Sequence, residues 1–461
     1  MLAAIKDYST MKKYIFTFSL IFAIGSTFGQ AFDSNVLNNI KLYSTLKRLE
    51  DKKISADSTF SILTTYNDYP VIKETDKEYI FFFKDSVFGK IPVRVFIPKK
   101  YSGNISTPVI LLLHGAVGVS RFSFIDSATM TYEVKGVDYT SSEGFYKYLC
   151  KQNKYIVVRP IADPTVKFDW VYNKFSPNPN LTFVTLTNIL IKLKEFLNID
   201  DNRVYAYGHS DGSDGVFGFD VYRPSLFAGF VGYNSMLNQL SGDVYLKNMI
   251  NKPFYLVHSD LDDLRPIQQT RLQIQELDSI KAPVLYKEYI GYKHEDKHLE
   301  IDRPNSLIFL NATTRNPFPK ALFWETDNTS FNSCEWLKIT QLNPLDQKKE
   351  WQKEINSMSY NKLTKEYLNI PYYNYNNSGN GAVIAYYDNN IFKIQTSRVS
   401  QIELLISPVM VNLLNPLIVI INGKTVFNKR IEPDKDFMIN NFKHSFDREA
   451  LWVTSIKLQA D

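Results

Sequence analysis

The sequence predicts an α/β protein with a doubly wound, mostly parallel sheet, followed by a small all-β domain of sandwich type. Up to about residue 315, strand-like runs alternate with helical patterns, which is typical of a parallel sheet with crossover helices. One of these runs, 109–113, is continuously apolar, as expected for a strand buried on both faces. The alternation stops at the segment 315–319, and the strand-like runs beyond it follow one another without helices between them.

The elements of the α/β part follow in order along the chain. An amphipathic surface helix is expected over 33–51, and the strands 78–83 and 91–97 are joined by a turn that contains glycine. After the apolar strand, helices and strands alternate repeatedly. Their expected ranges are 144–152, 155–158, 183–197, 204–207, 254–257, 267–278 and 284–289.

The tail is predicted to fold around strands of its own. Asn422-Gly423, between the apolar runs 417–421 and 424–427, is the strongest hairpin signal in the chain. A polar stretch rich in Asn and Tyr, 346–381, is interpreted as an insertion or mobile linker. Further strands are expected at 322–324, 336–339, 392–394, 402–406 and 451–453.

The N-terminus has the three regions of a secretory signal peptide. Lysines at 12 and 13 precede an apolar stretch, 14–25, and small residues at Thr27 and Gly29 precede an expected cut at Gln30. An uncleaved N-terminal anchor is the alternative. The expected divisions are therefore a signal peptide at 1–29, a helical extension at 30–74, the α/β domain at 75–318 and the β domain at 319–461.

Composition narrows the classes of partner. A net charge of +5 on 461 residues gives no case for nucleic acid or an acidic membrane surface as partner. No later segment is long enough for a membrane span, so a secreted or periplasmic protein is expected. Cys150 and Cys334 are too few for a zinc ribbon or haem attachment, and two free thiols are favoured over one disulfide.

The segment 208–212 carries the main functional signal. It reads Gly-His-Ser-Asp-Gly, with a β-branched and aromatic run before it and a segment able to form a helix after it. A strand, a sharp turn and a helix together lift a serine hydroxyl above a sheet, where it can attack a carbonyl. A surface Gly-Ser turn is the alternative interpretation.

A serine nucleophile needs a base to take its proton and an acid to orient that base. Asp262 lies in an acidic loop after the strand 254–257, and Asp260 in the same loop is the competing candidate. His294 follows the strand 284–289, where a base would be expected. A solvated loop or a helix N-cap is the plain alternative for these aspartates.

The developing oxyanion needs two backbone N–H donors. The turn 114–118 ends the apolar strand and contains two glycines, so the amides of Ala116 and Asp211 are the expected pair. A simple strand-to-helix turn is the alternative.

A second motif competes for the same histidine. His294-Glu295 and His298 match the H-E-x-x-H zinc pattern, which requires a helix that places both imidazoles on one face. Here a strand and Gly291 precede the motif and Pro304 follows it, which disfavours such a helix. No cofactor or metal is therefore expected, and a zinc peptidase is kept as an alternative.

On these residues the chain resembles the α/β-hydrolase superfamily, in particular secreted esterase-like and prolyl-oligopeptidase-like serine hydrolases. The resemblance covers about residues 75–315 and implies acyl-ester or acyl-amide hydrolysis by Ser210, His294 and Asp262. It departs from the family where Ser259 replaces a glycine and where Ala116-Val117 replaces a fuller glycine run. It is carried by His114-Gly115, the segments 208–212 and 224–230, Asp262 with Pro266, and Gly291 with His294.

The expected protein is an exported serine hydrolase that forms an acyl-enzyme on Ser210, with a small-molecule or polysaccharide-linked ester as substrate. Besides the zinc peptidase, the second alternative to a serine hydrolase is a non-catalytic glycan-binding protein on a hydrolase scaffold. Four tryptophans in the tail suit such binding, although core packing is favoured for each. Because all candidate catalytic groups precede Pro319, a chain ending near there is expected to keep small-ester activity. The four tryptophans are Trp324, Trp336, Trp351 and Trp452.

Overall fold

The structure is a computed structural model that describes residues 25–116, 121–126, 131–136, 140–163, 166–171, 181–238, 243–355, 357–373 and 379–460. Most of the expected signal peptide, the end of the turn 114–118 and part of the stretch 346–381 lie outside these ranges. Within them, no helix is both long and apolar enough to cross a membrane.

An eleven-stranded sheet forms the first part of the molecule, with the order β11-β10-β9-β8-β4-β7-β3-β2-β1-β6-β5. Its strands are β1 Gly25–Ala31, β2 Lys77–Asp85, β3 Gly89–Ile97, β4 Thr107–Leu113, β5 Arg121–Asp126, β6 Thr131–Gly136, β7 Ile156–Pro160, β8 Ile199–His209, β9 Gly229–Tyr233, β10 Phe254–Ser259 and β11 Val284–Tyr289. The six strands from β11 to β7 run parallel, and β3 and β2 continue the sheet antiparallel. The mostly parallel sheet is therefore as predicted.

Three strands at one edge were not predicted. β1 pairs with β2 and β6, and β5 pairs with β6. β1 runs through Gln30, the expected cut site, so residues assigned to the end of the signal peptide belong to this sheet.

The chain also forms helices, several of which cover the two faces of the sheet. In the described residues they are α1 Ser34–Leu37, α2 Ile40–Leu49, α3 Ala56–Thr64, α4 Thr140–Lys151, α5 Leu181–Lys194, α6 Asp211–Tyr222, α7 Ile267–Ser279, α8 His298–Ala312 and α9 Lys435–Ser445, with short 3-10 turns at Pro224–Leu226, Leu246–Asn251 and Thr329–Phe331. The single helix expected at 33–51 is broken, because the Asn39 side chain accepts the Leu42 N–H and starts a new helix, α2.

β4 shows why the sheet is buried on both faces. Val109 and Leu111 pack into one apolar core with α5 and α6, while Ile110 and Leu112 pack into a second core with α4 and α8. All four side chains are at most 1% exposed. Because alternate residues of a strand point to opposite faces, a continuous apolar run serves two layers at once, which is the doubly wound arrangement.

The strand order reverses at β4, and this places the candidate site. The chain leaves β4 towards β7 on one side and β8 on the other. In open α/β sheets the loops beyond the carboxyl ends of two such strands separate and leave a crevice. The segments that follow β4 and β8, which begin at His114 and Ser210, border this crevice.

Two further sheets build the tail. One contains β12 Ala321–Thr326, β17 Gly381–Asp388, β18 Ile391–Ser397, β20 Leu417–Ile421 and β21 Lys424–Lys429, and the other contains β13 Ser333–Cys334, β14 Leu337–Leu342, β19 Val399–Ile406 and β22 Thr454–Gln459. Trp324 on the first sheet and Trp336 beside the second share one apolar core, as expected of a sandwich. The predicted turn at Asn422-Gly423 joins β20 to β21, with positive φ at both residues.

One strand predicted for the tail was wrong, and part of the stretch 346–381 has regular structure. The segment 451–453 precedes the strand β22 instead of forming one. The stretch 346–381 contains a hairpin, β15 Met358–Asn361 with β16 Glu366–Pro371, which is held against α7 by hydrogen bonds to Gln269. Tyr373 is buried in the α/β core, where its hydroxyl accepts from Gln273. These contacts pack the described residues 357–373 against the α/β part.

The two cysteines are free thiols, as the sequence favoured, but only Cys334 is fully buried. Burial raises the pKa of Cys150 to about 12. Trp324 and Trp336 are fully buried, which removes these two rings as stacking platforms for sugars, whereas Trp452 is 6% exposed.

A buried ion network joins the tail to the α/β part; we call it the seam network. The Asp447 carboxylate accepts two bonds from the Arg315 guanidinium, at 2.8 and 2.9 Å, and lies 3.4 Å from Lys194 Nζ. Asp201 pairs with Lys194 at 2.8 Å and with Arg448 at 3.1 Å. Removing the tail would take Asp447 away from both of its cations, so we expect a chain that ends near Pro319 to be less stable than the full chain.

The two ends of the chain also meet. Leu42 and Leu46 of α2 and Leu63 of α3 share an apolar cluster with Met438 and Phe442 of α9. The predicted N-terminal extension, 30–74, and the predicted β domain, 319–461, therefore pack against each other.

We expect Asp447→Asn to lower the free energy of unfolding by about 3–5 kcal/mol, because it leaves Arg315 and Lys194 buried without full compensation. Burial alone would raise the pKa of Asp447, but the charges of Arg315 and Lys194 hold this pKa below its ordinary value. The carboxylate therefore stabilises the fold above its unfolded pKa and stops doing so as pH falls through the folded one. Urea unfolding at pH 7 and at lower pH measures both effects.

The matched control is Asp388→Asn, which breaks an exposed pair with Lys320. Exposed pairs contribute about 0–1 kcal/mol, so this variant should unfold close to the parent protein. Equal losses in the two variants would contradict the role assigned to the seam network.

Candidate active site

Ser210 lies in a strained turn between β8 and α6. Its backbone has φ 56° and ψ −124°, a region that non-glycine residues rarely occupy. The two flanking glycines are required by close packing. A Cβ on Gly208 would overlap the Gly212 backbone, and a Cβ on Gly212 would overlap the carbonyl oxygens of Leu113 and His114. The strain projects the serine at the carboxyl edge of the sheet.

The three predicted residues Ser210, His294 and Asp262 meet in one hydrogen-bonded chain. His294 Nε2 lies 2.9 Å from Ser210 Oγ, and His294 Nδ1 lies 2.7 Å from Asp262 Oδ2. The residues follow three different strands, β8, β10 and β11. They come together because parallel strands end at a common edge of the sheet.

The Asp262 carboxylate is 5% exposed and well supplied with donors. It accepts the Asn234 side-chain amide at 2.8 Å and the backbone amides of Leu264 and Arg265 at 3.0 and 2.8 Å, besides the bond with His294. A carboxylate at this position can only accept. His294 Nδ1 therefore carries the proton, and Nε2 offers its lone pair to the Ser210 hydroxyl.

Electrostatics keep Asp262 ionised. Burial would raise the pKa of this carboxyl, but hydrogen bonds and charge interactions with His258 and His294 hold its pKa well below the ordinary range. The competing candidate, Asp260, has a different task. It accepts the Gly291 amide at 2.6 Å and so ties the loop before His294 to the end of β10.

Asn234 was missed by the sequence analysis. It follows β9 with a positive φ of 50° and is fully buried. Its amide nitrogen also donates to Ser259 Oγ at 2.6 Å, and its carbonyl oxygen accepts from His298 Nε2 at 2.8 Å. Burial lowers the pKa of His298 to about 4, so this imidazole is neutral and its Nε2–H donates. His298 therefore reaches Asp262 only through Asn234.

This arrangement bears on the zinc alternative. His298 is the first residue of α8, whereas His294 lies in the preceding turn, so one helix face does not present both. His294 is engaged by Ser210 and Asp262, and His298 by Asn234. Across the described ranges, no three His, Cys, Asp or Glu side chains are grouped so that they could hold a metal ion.

The two predicted oxyanion donors lie on neighbouring segments. Asp211 is the first residue of α6, and the first amides of a helix have no partner within it. Ala116, exposed, ends the described part of the segment that follows β4. The close approach of Gly212 to Leu113 and His114 brings the two segments together.

Arg265, also missed by the sequence analysis, connects the Asp262 loop to α6. Its guanidinium pairs with Asp211 at 2.6 Å and with Asp214 at 2.7 Å. Its amide donates to Asp262, and its carbonyl accepts from His258 Nε2 at 2.8 Å. Burial raises the pKa of Asp214 to about 6, against the lowering effect of Arg265. One residue thus contacts both the acid loop and the first turn after the serine.

No family model matches the chain, and no curated protein matches it. Among solved structures, a thermostable esterase is 23% identical with a TM-score of 0.41, and the match spans 52% of this chain and 63% of that one. Esterase 2 of Thermogutta terrifontis is 11% identical over 52% of this chain and 97% of its own, with a TM-score of 0.39. The S-formylglutathione hydrolase of Staphylococcus aureus is 12% identical over 50% and 98%, with a TM-score of 0.36.

Similarities of this size do not establish a relationship, so the assignment depends on the architecture itself. The parallel part of the sheet is wound doubly about β4. A strained serine turn joins β8 to α6 at its carboxyl edge, and the serine, aspartate and histidine follow one another in that order along the chain. These features together are those of the α/β-hydrolase fold.

Proposed function

We propose that this protein is a serine hydrolase that cleaves an ester, and less readily an amide, through an acyl-enzyme on Ser210. The observation that carries the proposal is the hydrogen-bonded chain from Ser210 through His294 to Asp262, with the serine on a strained turn. In this arrangement His294 is the base and Asp262 orients it.

The proposed reaction has two halves. His294 Nε2 takes the proton as Ser210 Oγ attacks the carbonyl carbon, and the resulting oxyanion collapses with loss of the leaving group, which receives that proton. Water then attacks the acyl-enzyme, gives its proton to His294 and releases the acid, while the serine recovers its proton. The charge of Asp262 stabilises the imidazolium in both halves without taking a proton itself.

The amides of Ala116 and Asp211 are the proposed donors to the oxyanion. The N-terminus of α6 adds its partial positive charge at the same place. The Asp211 carboxylate would oppose a second negative charge nearby, and its pairing with Arg265 removes this opposition. We therefore propose Arg265 as a positioning and charge-neutralising residue.

An ester is the favoured substrate because its leaving group needs less protonation than an amine. A small-molecule or polysaccharide-linked ester remains the proposed class, and export remains a proposal from the pattern at 1–29.

Ser210→Ala should abolish labelling by a fluorophosphonate and lower ester kcat by about 10⁴- to 10⁶-fold, because the nucleophile is lost while the fold is kept. Labelling of the parent protein should be insensitive to a chelator. Ser279→Ala, at an exposed serine on α7, is the control and should label normally. Undiminished turnover by Ser210→Ala would refute the assignment, and chelator-sensitive turnover would revive the zinc alternative.

His294→Ala should approach the loss seen with Ser210→Ala, whereas His298→Ala should lose no more than about 10²-fold in kcat/KM. The difference arises because His298 acts only by holding Asn234 in place. Steady-state kinetics on a soluble ester compares the two variants. Equal losses, together with zinc in the purified protein, would contradict this prediction.

Asp262→Asn should lower kcat by about 10⁴-fold, because an amide there no longer fixes the correct imidazole tautomer. Asp260→Asn should leave kcat within about tenfold of the parent, because it weakens only the contact with Gly291. The same ester assay measures kcat for both variants. An inactive Asp260→Asn together with an active Asp262→Asn would contradict this assignment and reverse the two roles.

Arg265→Met should lower kcat more than it raises KM, since it leaves the Asp211 carboxylate unpaired beside the proposed oxyanion site. Adding Asp211→Asn to Arg265→Met should then restore part of the lost kcat. A purely structural role for Arg265 predicts the opposite, namely that the double variant is no better than Arg265→Met alone. The double-mutant cycle compares the kcat values of the parent protein, the two single variants and the double variant at one pH.

A further inference from the structure

A cavity of about 210 Å³ lies between the α/β part and the tail, away from the candidate active site. Arg223, the residue that follows α6, lines it together with Ser330, Phe331 and Trp452. Ser210 precedes the first residue of the same helix, so the cavity and the serine lie at opposite ends of α6.

Arg223 has no carboxylate partner among the described residues. Its Nε donates to Thr187 Oγ1 at 3.2 Å and its Nη1 to the Ser330 carbonyl at 3.3 Å, and both acceptors are neutral. Burial lowers the pKa of Arg223, as expected for a cation without a counter-charge. Charges that are largely removed from water are normally paired, so this half-buried arginine is unusual.

The carboxylates that line the same cavity are already paired. Glu335 lies 2.5 Å from Lys252 Nζ, and Asp447 is shared between Arg315 and Lys194 in the seam network. The charged side chains of the lining are therefore two cations, Arg223 and Arg315, and these two carboxylates. Among them, only Arg223 has no charged partner in the described residues.

The carboxyl end of α6 supplies part of what Arg223 needs. A cation there is stabilised by about 0.3–1 kcal/mol through the helix dipole, which is small beside the cost of burying a charge. Serine hydroxyls at 225 and 333 and the Asn441 amide add hydrogen-bonding groups to the cavity, and Phe331 and Trp452 add an apolar surface.

We propose that this cavity binds a small anion whose carboxylate or phosphate pairs with Arg223 and whose remaining part packs on Phe331 and Trp452. The ligand supplies the counter-charge that the chain itself does not provide. The site does not depend on the proposed hydrolase function, since none of its residues contacts Ser210, Asp262 or His294.

Thermal unfolding of the full chain tests the proposal, with inorganic phosphate and benzoate as probes and sodium chloride at equal ionic strength as reference. A ligand that binds only the folded state should raise Tm by a few degrees in a saturable way. Arg223→Gln should remove this rise. Arg271→Gln is the matched control, because it changes the net charge equally at an exposed pair with Glu288.

A second variant keeps the test decisive if Arg223→Gln does not fold. Ser330 is exposed and its carbonyl already contacts Arg223, so Ser330→Asp should supply an internal carboxylate and abolish the response to both probes. A rise with phosphate alone or benzoate alone supports the site and identifies the anionic group. No saturable rise with either probe, or a rise that persists in Arg223→Gln or Ser330→Asp, would overturn the proposal.

Discussion

The site depends on one buried charge, the carboxylate of Asp262. An ionised carboxylate away from water is tolerated only when its oxygens are hydrogen-bonded, and here the donors come from segments that follow β9, β10 and β11. Satisfying this single group therefore fixes three loops relative to one another. His294 is one of those donors, so its position opposite Ser210 follows from the same requirement.

The sequence predicts the site residues that can be identified from local patterns together with one rule of sheet topology. Ser210, Asp262 and His294 each follow a recognisable strand, and parallel strands end at one edge. Asn234 and Arg265 were not predictable in this way. Asn234 contributes to the site because β9 lies between β8 and β10. Arg265 contributes because its loop faces the start of α6. Neither spatial relationship can be recognised from a local sequence pattern.

The same dependence on local patterns limits what can be predicted for the tail. Its hairpin and sandwich strands have local signals, so their existence is predictable, whereas the packing of 357–373 on α7 depends on distant partners. The strand β17 was missed although its hairpin with β18 is local. Tyr373 illustrates the point, because a tyrosine in a polar stretch is unremarkable until Gln273 and the core are seen beside it. Composition suggested an insertion or a mobile linker, and the described residues 357–373 of this stretch pack on the α/β core.

The seam network also constrains when the fold can close. Lys194 and Asp447 are separated by 253 residues, which take about 13–50 s to synthesise at 5–20 residues per second. During that interval Lys194 and Arg315 have no access to the carboxylate that pairs them in the finished protein. The contacts of α9 with α2 and α3 join the two ends of the chain as well. The fold therefore closes only after residue 447 has been synthesised, and a nascent chain that stops before it lacks this ion pairing.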